Sequence, residues 1–177
     1  MRRKQIAILT VLVALAGCSG GETGATDTTP SAPASGTGPQ LVIEGPWSLP
    51  TPPIEDGTGI VYMVFRNEGG AADRLVAAKT PMAAAVELHI DEIDANGVMH
   101  MHMVDGGVID FPPGETVVLE PAGLHIMLIE LTEPLAAGTT YPLTLKFEQS
   151  GEFTLDVPVT DEAPELESAD PIVVPAP

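Results

Sequence analysis

Cysteine is all but missing from this chain of 177 residues: Cys18 stands alone. One thiol cannot build a disulfide framework, so the fold must rest on its apolar core. Basic residues are also scarce. Seven Lys and Arg face 25 Asp and Glu, a formal net charge of −18. Three of the seven are Arg2, Arg3 and Lys4, which leaves Arg66, Arg74, Lys79 and Lys146 for the rest of the chain. So acidic a balance argues against nucleic acid or an anionic membrane surface as partners. Long apolar runs are lacking too. Ile6 to Ala16 is eleven residues, broken by Thr10, and a bilayer-spanning helix needs about 20. No sustained helical period is visible apart from a weak patch at Ala83-Ala84-Ala85. No Ser-His-Asp arrangement, paired carboxylate motif or phosphate loop stands out, so an enzyme is not expected.

What the front of the chain does hold is an address. A charged start, a short apolar run and small residues make a secretory signal over 1–17. It ends in Leu15-Ala16-Gly17-Cys18, which resembles a bacterial lipobox. That resemblance implies cleavage before Cys18, lipidation of Cys18, and a membrane-anchored protein on the extracytoplasmic face, in the periplasm or at the cell surface. Residues 18–40 are rich in Gly, Ser, Thr, Ala and Pro, the composition of a flexible linker. A tether of about 22 residues has an r.m.s. reach on the order of 25 Å. At the other end, 160–177 is acidic and Pro-rich, the composition of a disordered tail.

The stretch 41–159 reads as one all-β domain. Apolar runs recur between Gly, Pro, Asn and Asp clusters. Strands are predicted at 40–44, 59–67, 74–79, 86–91, 98–104, 116–120, 124–131, 141–147 and 151–159. Turn chemistry marks Asn67–Gly70, Asn96-Gly97, Asp105–Gly107 and Pro112–Gly114. Many short strands with regular turns predict a β-sandwich or barrel.

The chemistry is concentrated. All four histidines, His89, His100, His102 and His125, fall within 39 residues, together with Met99, Met101, Met103 and Met127. Imidazole nitrogen and thioether sulfur form a soft, neutral donor set that selects Cu(I). Thioethers cannot oxidise to disulfides, which suits an oxidising compartment. Zinc would prefer thiolate, imidazole or carboxylate. A blue-copper electron carrier needs a thiolate beside two imidazoles, and only Cys18 could supply one.

Strand alternation sorts these residues onto faces. His125 and Met127 share a face of their strand, opposite Leu124, Ile126 and Leu128. Met99, Met101 and Met103 share one face of theirs, and His100 and His102 the other. His89 shares its face with Glu87. One ion is thus within reach of His89, His125, Met127 and a methionine of the middle strand. Met63 and Met82 read as core. Met99 and Met103 fit ligand and packing roles equally. His100 and His102 fit a solvent-facing pair, and such a pair also holds Cu(II) or zinc weakly. Glu87 and Asp91 read as solvated strand positions.

Several segments together resemble the PCuAC family of extracytoplasmic copper chaperones. They are Val86–His89, Gly97–Met101, Pro112–Val117 and Pro121–Leu128, with Trp47, Pro50, Pro53, Tyr62, Asn67 and Asp73–Leu75 before them. The resemblance covers roughly 41–150. It implies a cupredoxin-like Greek-key fold and an exposed Cu(I) site of two His and two Met, here His89, Met101, His125 and Met127. It also implies a copper-accepting membrane protein as partner, a cytochrome oxidase subunit or its assembly factor. A monomer is expected. Copper scavenging or tolerance is the alternative role. The family spacing is His, one residue, ten residues, Met, twenty-one residues, His-x-Met. Met101 fits the first gap, but 23 residues separate it from His125. Met103 fits the second gap. The additional donors Met99, His100, His102 and Met103 depart from a strict one-ion pattern.

Overall fold

A computed structural model describes residues 37–54, 57–165 and 170–175. The expected signal, Cys18 and most of the linker lie outside them. Eleven strands are laid out in two sheets. They are β1 (Leu41–Ser48), β2 (Gly59–Asn67), β3 (Asp73–Lys79), β4 (Ala83–Ile93), β5 (Met99–Met103), β6 (Ile109–Phe111), β7 (Thr116–Leu119), β8 (Leu124–Leu131), β9 (Thr140–Phe147), β10 (Gly151–Pro158) and β11 (Ile172–Val173). A single 3-10 turn, Asp105–Gly107, joins β5 to β6. No helix among the described residues is long and apolar enough to cross a membrane.

The larger sheet runs β11-β1-β2-β7-β8-β4-β5 and the smaller β10-β9-β3-β6. The chain crosses between them after β2, β3, β5, β6, β8 and β10. Alternation explains the sandwich. In β2, Val61, Met63 and Phe65 point inward and are buried; in β9 the inward set is Tyr141, Leu143, Leu145 and Phe147. Phe65, Phe111 and Phe147 meet in the middle, with ring centroids 4.7, 6.2 and 6.1 Å apart. Each such ring buried removes enough apolar surface to contribute about 1.5–3 kcal/mol. Met63 is core, as expected, at 1% exposure.

Two buried polar side chains hold the connections. Asn67 donates from Nδ2 to the Ala71 and Phe111 carbonyls, and its Oδ1 accepts from the Gln40 and Gly69 amides. The carboxylate of Asp73 accepts from the amides of Arg74, Gln149 and Ser150. All bonding capacity of the Asn67 amide is used, which is what a buried amide requires. Gly69 packs so closely on Gly38 and Gln40 that a Cβ there would collide with their backbone. The last linker residues are therefore tied to the domain.

Three differences from the sequence reading stand out. Ala83–Ala85 is not helical. It begins β4, with Ala83 and Ala85 paired to Leu131 and Ile129 of β8. β6 lies where no strand was predicted; its three residues pair with Asp73–Leu75. The tail, expected to be mostly disordered, contributes β11: Ile172 and Val173 pair with Ile43 and Val42, and Val174 is buried.

Candidate metal centre

The β4–β5 hairpin and β8 carry every histidine of the chain. A turn at Asp94–Gly97 makes the hairpin. The Asp94 carboxylate accepts from the Asn96 and Val98 amides, and Gly97 takes the left-handed conformation at φ 82°. These amide bonds hold the Asp94 carboxyl below its ordinary pKa of 3.8. The loop length sets the register of β5 on β4: His89 opposite Met103, Asp91 opposite Met101, Ile93 opposite Met99. On the other side, β8 places His125 opposite His89 and Met127 opposite Glu87.

Directly paired residues on adjacent strands share a face. His125, His89 and Met103 therefore form one row across three strands. Met127 lies one step along β8 from that row, and Met101 one step along β5 on the opposite side. Paired Cβ atoms lie about 4.5–5.5 Å apart and diagonal ones about 7–8 Å. The His89 and His125 ring centroids are 5.9 Å apart with planes at 62°. The inward neighbours Leu88, Ile126 and Leu128 are core, which fixes which face the imidazoles take.

The tautomers follow from the hydrogen bonds. His125 Nδ1 lies 3.0 Å from the Gly123 carbonyl. A carbonyl has no proton, so Nδ1 carries it and Nε2 is left with a bare lone pair when the ring is neutral. That Nε2 is buried without a hydrogen-bond partner. His89 Nε2 donates to the Glu87 carboxylate at 2.8 Å, and its Nδ1 is likewise buried and without a partner. A buried polar atom left unmatched is costly unless something else engages it. Two such nitrogens on one face, each with its other nitrogen anchored to an oxygen, is how imidazole ligands are oriented for a metal.

Glu87 is thus not a solvated strand position. It is partly buried and bonded to His89; the signal was its i, i+2 spacing from a candidate ligand. Asp91 is also partly buried, with its amide donating to the same Gly123 carbonyl that anchors His125. Burial of the Tyr62 hydroxyl raises its pKa above 10.0, and the charge of Asp91 adds to the rise.

The other donors are placed differently. Met99, Met101 and Met103 are 51, 45 and 51% exposed. His100 and His102 occupy the opposite face of β5. His100 Nε2 faces Asp94 at 3.3 Å. His102 Nδ1 donates to the Met103 carbonyl and Nε2 faces Glu92, and these contacts raise its pKa above 6.5, the carbonyl first. Both nitrogens of this ring are thus turned toward protein oxygens. Among the described residues no group of three His, Cys, Asp or Glu side chains is placed to hold a metal ion.

Comparison with known proteins gives the wider setting. A family model described as "Putative lipoprotein LpqE-like" matches residues 41–159. "Putative lipoprotein Lxx21020" of Leifsonia xyli is 34% identical over 96 residues, 54% of this chain and 57% of that protein. "Putative lipoprotein LpqE" of Mycobacterium tuberculosis is 26% identical over 101 residues, 57% of this chain and 53% of that protein. The chain spans a little over half the length of these curated relatives. Among solved structures, the copper-bound PCuAC domain from PmoF2 matches with a TM-score of 0.55 at 28% identity, covering 74% of this chain and 97% of that domain. The apo PCuAC domain from PmoF1 matches at 0.55 and 26% identity, covering 70% and 94%. The PCuAC likeness and the all-β, cupredoxin-like fold expected from the sequence are both borne out.

Proposed function

This chain belongs to the LpqE-like family, and on that premise we propose that its β domain binds Cu(I) and carries it at an extracytoplasmic membrane surface. The ligands are the imidazoles of His89 and His125 and the thioethers of Met127 and one β5 methionine. Of the β5 residues the register favours Met103, which stands in the row of both imidazoles, over Met101, which is a diagonal step away. The observation that carries the reading is the pair of buried, partnerless nitrogens, His89 Nδ1 and His125 Nε2, on residues that share a register row with Met103. A neutral nitrogen and sulfur donor set is the one that selects Cu(I) among biological metals.

The protein acts as a carrier and not as an enzyme. Cys18 carries the lipid anchor, and the names of the relatives support it. The half-exposed methionines let an acceptor's ligands enter while the imidazoles still hold the ion. The acceptor is a copper-requiring membrane protein, such as a cytochrome oxidase subunit or its assembly factor, and the carrier works as a monomer.

Anaerobic titration of the full chain against a chromophoric Cu(I) chelator tests the site. His125→Ala, Met127→Ala and Met103→Leu should each weaken the tight Cu(I) binding, whereas Met101→Leu should leave it intact. Equal affinity of His125→Ala and the unaltered protein would remove the assignment. Membrane fractionation tests the anchor: Cys18→Ala should move the protein to the soluble fraction.

A further inference from the structure

Once His89, His125, Met127 and Met103 are assigned, two thioethers remain on the same face of β5. Met101 lies across from Asp91 and Met99 across from Ile93. They continue the line of Met103 outward, toward the turn at Asp94–Gly97. β5 is the last strand of its sheet, and all five of its residues are exposed. Sheet edges are normally protected by charge, proline or a covering segment. This one instead presents three large apolar side chains, each about half exposed. Packing does not explain them, since none belongs to the core cluster or to the residues packed against it.

The geometry points to a second Cu(I) position, held by the thioethers of Met99 and Met101 alone and set beside the proposed His/Met centre. The inference rests on that centre for its purpose but not for its chemistry. Residues two apart on a strand are about 6.6 Å apart at Cα. Two flexible thioether arms close that gap around one soft cation. The partly buried Asp91 carboxylate, opposite Met101, offsets the positive charge. The donors on the other face of β5 do not compete, because His100 and His102 are turned toward Asp94 and Glu92. Movement of the ion from Met103 to Met101 exchanges one thioether for another. No electron or proton is transferred, so copper stays Cu(I) throughout. The row then forms a path from the enclosed imidazoles to the hairpin tip, where an acceptor with soft ligands would collect the ion.

The test is anaerobic Cu(I) titration of the full chain in detergent, combined with X-ray absorption at increasing copper. The unaltered protein should take one tight and one weaker equivalent, the second with a sulfur-only shell. Met99→Leu with Met101→Leu, a volume-conserving change at exposed positions, should abolish the weaker equivalent and keep the tight one. His125→Ala should do the reverse. Saturation of the unaltered protein at one equivalent would overturn the proposal. So would a second equivalent surviving the double substitution, or one with a nitrogen shell. If His125→Ala leaves the tight equivalent intact, the His/Met centre is wrong, whereas the double substitution still reports on the Met99–Met101 position.

Discussion

β9 and β5 are both strands of strictly alternating character, yet they end up in opposite circumstances. β9 buries Tyr141, Leu143, Leu145 and Phe147 between two neighbours, β10 and β3. β5 has one neighbour, and none of its residues is buried. Apolar side chains on β9 stabilise the fold; those on β5 do little for it. The same periodicity therefore carries packing in one place and leaves donors free in the other. What separates them is whether the second sheet lies behind the strand.

The contrast can be broken most strongly at the core. Phe147→Ala should cost about 3–5 kcal/mol, from lost burial plus the cavity left against Phe65 and Phe111. Met101→Ala should stay within about 0.5 kcal/mol. Chemical denaturation read by circular dichroism measures both. Comparable losses would mean that β5 is structural after all. A smaller effect is expected at Glu87. Glu87→Gln removes the carboxylate that orients His89, and loss of such a support lowers metal affinity about 10–100-fold. Chelator competition reads it, and stability should barely change.

The smallest effect concerns the hairpin turn. The Asp94 carboxyl is held below its ordinary pKa of 3.8 by the Val98 and Asn96 amides. A depressed folded-state pKa means the ionised form supports the fold. That support is complete above the ordinary value and is lost as pH falls through the lower, folded-state value. Protection factors at the Asn96 and Val98 amides, taken from exchange corrected for its intrinsic pH dependence and followed from pH 5 downward, should fall in that window, whereas the β9 amides stay protected. A Val98 protection factor that does not change with pH would mean the side chain contributes nothing to the turn.

Much of this was legible in the primary structure, for reasons tied to particular segments. β2 and β8 have the bounds expected at 59–67 and 124–131 because long apolar runs end at Asn, Gly or polar residues. β6 was not legible: Ile109-Asp110-Phe111 is too short for periodicity and is pressed between glycines and prolines. β11 is concealed by an acidic, Pro-rich surrounding; only its pairing with β1 makes it a strand. The alanines of β4 have little strand preference of their own and take their conformation from Leu131 and Ile129. For the metal centre, face alternation grouped the donors, but register did not follow from it. Register depends on how many residues the 94–97 turn consumes. That alone decides whether Met101 or Met103 stands beside the imidazoles. For Glu87 the i, i+2 spacing from His89 was the available signal, but spacing alone does not separate a carboxylate bonded to the imidazole from a solvated one.

The bare outer border of β5 carries a colloidal consequence. Unpaired amides and carbonyls on such a border invite another molecule to zip alongside. Here the invitation is refused at long range: every copy bears the same large anionic excess, so copies repel before backbones can align. Concentrated electrolyte shortens that repulsion to a few ångströms. Self-association through this strand, and the precipitation that follows, should therefore begin in brine and reverse on dilution.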